Sequence, residues 1–153
     1  IGILVFLSML REPSGMSATP APTSCVRQEG ARITCTLSAS TTRVKAGEIV
    51  SLTMAISNPI GSCVDIAFIT YSLTQSPLLF TSAYHGFIEY NLDEQLLPKD
   101  AVGSSRETFD LKAVQPGHGA ITGRVDFEVL NINTGIWVFS HCDAGEVDIL
   151  VEP

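Results

Sequence analysis

Val50, Leu52, Met54 and Ile56 alternate with Ser51, Thr53, Ala55 and Ser57, and the run ends at Asn58-Pro59-Ile60-Gly61. A two-residue period puts the apolar side chains on one face of an extended strand; a helix would repeat them every three or four positions. The proline and glycine close the run as a turn. The same period returns at Val125, Phe127 and Val129, set between Asp126, Glu128 and Leu130. It returns again at Val147, Ile149 and Val151. Between these lie Cys63–Leu73, apolar enough for a central strand, and two further strand segments, Thr108–Val114 and Ile136–Cys142, the last carrying the sole tryptophan, Trp137. Gly47, Gly61, Gly103, Gly117, Gly119, Gly135 and Gly145 punctuate the series. No window sustains a long helical period, and Asn91–Lys99 is the one place suited to a short helical turn. About eight strands at this spacing predict an all-β protein, an antiparallel β-sandwich.

With 153 residues the chain has the size of one domain. Nine Lys and Arg against 16 Asp and Glu give a net charge of −7. The basic residues are nowhere concentrated, which argues against nucleic acid and anionic lipid as partners. Hydrophobic residues make up 45% and charged residues 16%. Such a chain is too apolar for disorder, and apolar enough that part of its surface is expected to be covered by a partner or a membrane.

Cys25, Cys35, Cys63 and Cys142 form no C-x-x-C pair and lack zinc-ligand spacing. An even, dispersed set in a small Ser/Thr-rich chain predicts two disulfides and an oxidising compartment. A turn at Glu29-Gly30-Ala31 would set Cys25 opposite Cys35 in a hairpin. The expected pairing is therefore Cys25–Cys35, leaving Cys63–Cys142.

Three stretches follow one another: an apolar segment (1–10), a tether rich in Pro, Ser and Thr (11–24) and the sandwich (25–153). The first ten residues are too few to span a bilayer alone, which takes about 20; they would need apolar residues upstream to complete an anchor. They also have the length of a secretory signal core. As a strand they carry Ile1, Ile3, Val5, Leu7 and Met9 on one face and Leu4, Phe6 and Leu10 on the other. A strand apolar on both faces belongs inside a sandwich or a groove. The 14-residue tether reaches roughly 45 Å, further than a domain on the order of 35 Å across. The strand can thus enter a neighbouring copy or fold back on its own.

Arg43-Val-Lys-Ala-Gly-Glu-Ile-Val-Ser-Leu-Thr-Met-Ala-Ile-Ser-Asn58-Pro-Ile-Gly61 resembles a signature of immunoglobulin-like modules on prokaryotic, especially archaeal, cell surfaces. Phe109–Phe127, with Gln115-Pro-Gly117 at its centre, resembles the loop and strand before their last hairpin. The resemblance covers about half the chain and implies an immunoglobulin-like sandwich at a cell surface. It brings no active site, because such modules share none. The whole order of parts is similar to secreted archaeal filament subunits, in which an N-terminal donor strand and tether precede the sandwich.

Chemistry is sparse. His85, His118 and His141 have no metal-ligand spacing; His118 fits an exposed turn and His141 a structural strand position. No serine lies in G-x-S-x-G. Gly117-x-Gly119-x-x-x-Gly123 lacks the lysine of a phosphate loop. Asp143, Glu146 and Asp148, like Asp93-Glu94, lack the regular offsets of a calcium loop, and one tryptophan is a thin supply for a sugar-binding platform. The expectation is therefore no enzyme, no cofactor and no metal site.

The expected function is structural: an extracellular, pilus-like filament whose subunits, as copies of one chain, polymerise head to tail by donor-strand complementation. Burying five alternate donor side chains would contribute up to about 8–15 kcal/mol before association costs. The expected acceptor residues are the core-facing Val50, Leu52, Ile56, Phe127 and Val129. The alternative is a membrane-anchored sandwich of a surface-layer or motility-filament assembly, with a membrane partner only if an anchor lies upstream.

Overall fold

The computed structural model describes residues 25–82, 91–93 and 103–153, so the expected donor strand and tether lie outside the described residues. Among the described residues nine strands occur: β1 (Thr34–Ala39), β2 (Arg43–Lys45), β3 (Ile49–Asn58), β4 (Val64–Ser76), β5 (Phe80–Ser82), β6 (Asn91–Asp93), β7 (Gly103–Ala113), β8 (Gly117–Asn131) and β9 (Ile136–Glu152). They form a four-stranded sheet in the order β1-β3-β7-β5 and a five-stranded sheet in the order β2-β9-β8-β4-β6. The described residues are all-β. Asn91–Asp93, expected to begin a helical turn, is instead a strand pairing with Ile69–Tyr71 of β4. One pairing departs from the antiparallel expectation: β2 runs parallel to the end of β9.

The two sheets share one core. Val50, Leu52, Met54 and Ile56 of β3 are fully buried there, together with Ile69 and Tyr71 of β4 and Ile121, Val125 and Phe127 of β8. The polar residues between them in β3 face outward, where Thr53 Oγ1 lies 3.2 Å from Thr108 Oγ1 and Ser51 Oγ donates to Asp110. The sheets approach closely where β8 has no side chains. A Cβ at Gly119 would stand 2.9 Å from Leu79 Cδ1, and one at Gly123 would stand 2.9 Å from Met54 Cε. Two glycines that resemble a loop motif in sequence thus sit on a strand and admit side chains from the opposite layer. Across the same interior the Tyr71 hydroxyl donates to Ser105 Oγ at 2.6 Å, joining β4 to β7.

β9 is one strand of 17 residues where the sequence suggests two. Gly123 pairs with Gly145 and Arg124 with Asp143, which leaves Ala144 as an extra residue on β9. Gly145 has φ +99°, the left-handed conformation that glycine supplies at such bulges. The inserted residue reverses the parity: Cys142 turns inward before the bulge, Ala144 at it, and Ile149 and Val151 after it. A strict period of two is broken there, although the strand is continuous.

β1 ends the first sheet and the chain then crosses to the second as β2, held by the Leu150 N–H donating to the Thr42 carbonyl at 2.9 Å. It returns through Ala46-Gly47-Glu48. Gly47 has φ +95° with no atom near its missing Cβ, so backbone conformation alone demands glycine. The Glu48 carboxylate accepts the Lys45 N–H at 2.9 Å, and the Gly47 N–H donates to the Ala113 carbonyl at 2.8 Å.

The disulfide pairing differs from the expected one: Cys25 joins Cys63, and Cys35 joins Cys142. The turn is present, with Gly30 at φ +80° and the Ala31 N–H donating to the Gln28 carbonyl. Its first arm, however, does not pair with the second. The Gln28 N–H donates to the Gly61 carbonyl at 3.0 Å, so residues 25–30 lie along the turn that follows β3. Long-range hydrogen bonds there outweigh the hairpin that local spacing allowed.

Candidate interaction surface

Four consecutive large apolar residues at the start of β9 are exposed: Ile136 (59%), Trp137 (43%), Val138 (54%) and Phe139 (68%). Register assigns their faces. Val138 pairs with Val129, which pairs with the fully buried Ile66, so Ile136 and Val138 lie on the inner face of the sheet. Trp137 and Phe139 pair with Leu130 and Glu128 on the outer face. The strand is therefore apolar and exposed on both faces at once. A run of this kind in sequence reads as a buried central strand, which is how sequence reasoning missed it.

Among the described residues this stretch is also a sheet edge. β9 pairs with β8 on one side; on the other, the only described partner is β2, which covers Leu150–Glu152 alone. β1 approaches at Cys142 through the disulfide from Cys35, with the two Cα atoms 6.1 Å apart. Among the described residues, no strand pairs with the Ile136–His141 side. Six residues of open edge measure about 20 Å. An apolar open edge is a template for another strand.

The base of the tether sits beside it. Asn133, in the turn between β8 and β9, accepts the Cys25 N–H at Oδ1 and donates from Nδ2 to the Cys25 carbonyl, both at 2.9 Å. The Cys25–Cys63 disulfide fixes the same point to the turn after β3. There Gly61 has φ +81°, and a Cβ on it would meet the Gln28 side chain at 2.5 Å. Asn58 Nδ2 donates to the Val64 carbonyl at 2.9 Å and carries the chain from β3 into β4.

The remaining sequence candidates are scattered. Val50, Leu52, Ile56 and Phe127, named as acceptor residues, are packed inside the core, with Val129 partly buried against it. His118 lies on β8 rather than in a turn, and His141 is an exposed residue of β9. Asp143, Glu146 and Asp148 are exposed around the Gly145 bulge. Among the described residues, no group of three or more His, Cys, Asp or Glu side chains is arranged to hold a metal ion. His85 and Glu94 lie outside the described residues. Arg124 has its pKa raised by the hydrogen bond to Asp126, at 2.9 Å, against partial desolvation and with help from the charges of Asp126 and Asp143. Among the described residues, no helix is long and apolar enough to cross a membrane.

No protein-family model matches this sequence, and no curated protein matches it either. Among solved structures, the sporulation control protein Spo0M from Bacillus subtilis is similar with a TM-score of 0.31 and 16% identity, over 79% of this chain and 49% of that one. The chain thus spans about half the length of that protein, and a likeness at this level says nothing of what the chain does.

Proposed function

We propose that the chain is a structural subunit of an extracellular filament: an immunoglobulin-like sandwich that joins its neighbours head to tail through residues 1–10. The observation that carries this reading is the covalent fastening of the tether. The first described residue after it, Cys25, is bonded through sulfur to Cys63 and clamped at both backbone groups by Asn133. Ten residues later Cys35 is bonded to the opposite sheet at Cys142. A load applied to residues 1–24 passes at once into both layers. Fastening of this kind suits a segment that bears load. Two disulfides also favour an oxidising compartment outside the cytosol.

The immunoglobulin-like assignment is supported by strand order. β3 and β7 take the places of strands B and E, and β4, β8 and β9 those of C, F and G. β5 occupies the place of D but precedes β6 in the chain, and the inter-sheet disulfide joins the sheet edges β1 and β9 rather than the central B and F. These are departures within the plan.

Electron microscopy and sedimentation of the full chain test the function. Fibres or a concentration-dependent ladder of oligomers are expected, collapsing to a monomer when residues 1–10 are deleted. A full chain that remains monomeric at all concentrations overturns the reading.

A further inference from the structure

The geometry points to the open edge of β9, Ile136–His141, as the acceptor for residues 1–10 of a second copy, which would add a strand to the five-stranded sheet. The inference rests on the filament reading and names the surface that reading lacks, since the core-facing residues expected to receive the donor are already packed inside their own chain.

Two observations select this occupant, and a third bounds its register. Donor and acceptor match in their unusual two-sidedness. In an extended conformation residues 1–10 would present apolar side chains on both faces, and Ile136–Phe139 expose apolar side chains on both faces of the sheet. A strand with one polar face would leave half of that edge uncovered. Main-chain pairing along about 20 Å would supply direction, and the flanking side chains would supply burial.

Tether length selects a second copy over the same one. Cys25 is hydrogen-bonded to Asn133, three residues before Ile136, so the gap from the base of the tether to its own edge is only about 10 Å. Fourteen residues containing Pro13, Pro20 and Pro22 lie between the apolar segment and Cys25. A spacer of this composition favours extended conformations of about 3 Å per residue, long enough to take a strand past its own domain. Connections between adjacent strands of one sheet usually take two to five residues.

The position of Cys142 sets the limit of the site. The bridge to Cys35 brings β1 against β9 there, so pairing stops near His141 and the register of the incoming strand is bounded.

The test replaces Phe6 of the full chain with the photo-crosslinker benzoylphenylalanine, mixes unlabelled and heavy-isotope copies, and maps the linked peptides by mass. Cross-links between copies of different isotope, joining position 6 to the peptide that holds Ile136–Phe139, are expected. They should fall about tenfold or more in the doubly substituted Val138→Lys, Phe139→Lys chain. Both side chains are exposed, so its near-ultraviolet circular dichroism should match that of the parent. Polymers that cross-link elsewhere overturn the acceptor assignment and leave head-to-tail assembly standing. Links confined to copies of one isotope overturn the second copy as occupant. A monomeric chain with no links between copies overturns both. Recovery of the chain on phosphatidylcholine vesicles, with the link to β9 lost, overturns the proposal in favour of a bilayer at this edge.

Discussion

Asn133 hydrogen-bonds both backbone groups of Cys25, across 108 positions of sequence, and so couples the hairpin turn of one sheet to the segment that precedes the other. Replacing Asn133 with Ala removes both bonds while leaving the disulfide to Cys63. These groups are exposed, so a loss of only about 1 kcal/mol in global stability is expected. Hydrogen exchange should show the change locally, with faster exchange of the Cys25 amide and little change in the strands.

Non-reducing peptide maps should contain Cys25 linked to Cys63 and Cys35 linked to Cys142. Closing loops with separations of 38 and 107 residues restricts the unfolded chain by about 4 and about 5 kcal/mol respectively. The Cys35→Ala, Cys142→Ala chain is therefore expected to lose more stability in chemical denaturation than the Cys25→Ala, Cys63→Ala chain. The reverse order would mean that the cross-links act through native packing instead.

Gly47 and Gly123 should respond differently to substitution. At Gly47 there is space but a left-handed backbone, so Gly47→Asn should be milder than Gly47→Val, with the latter costing about 1–2 kcal/mol or more. At Gly123 the constraint is contact. An added methyl meets Met54 Cε at 2.9 Å and Ala144 Cβ at 3.2 Å. Gly123→Ala should cost about 1–3 kcal/mol, partly recovered by shortening Met54 to Val in the same chain.

Tyr71→Phe removes the hydrogen bond to Ser105 inside the core and preserves the ring. Denaturant midpoints should report a loss of about 0.5–1.5 kcal/mol, with an unchanged slope if the compactness of both states is preserved.

The alternation of β3 and the inward positions of β8 were legible because one face of each strand is buried and the other is not. β9 was only half legible: the extra residue at Ala144 switches its parity, so one strand looked like two. The cysteine pairing was misread because spacing describes neighbours along the chain, whereas the Gln28 amide is satisfied by Gly61. The apolar edge at Ile136–Phe139 was invisible for a different reason. Composition identifies a greasy strand, but only the arrangement of sheets tells whether anything lies against it.

The bridge between Cys35 and Cys142 also limits how far the molecule can stretch. With it intact, the shortest covalent route from Cys25 to Pro153 runs ten residues to Cys35, across the sulfurs, and eleven more to the last residue. Pulled taut, that route is roughly 75 Å long, against roughly 440 Å for the same stretch with both disulfides reduced. A string of such units under tension would yield little before its links let go, and a reductant would make it several times more extensible.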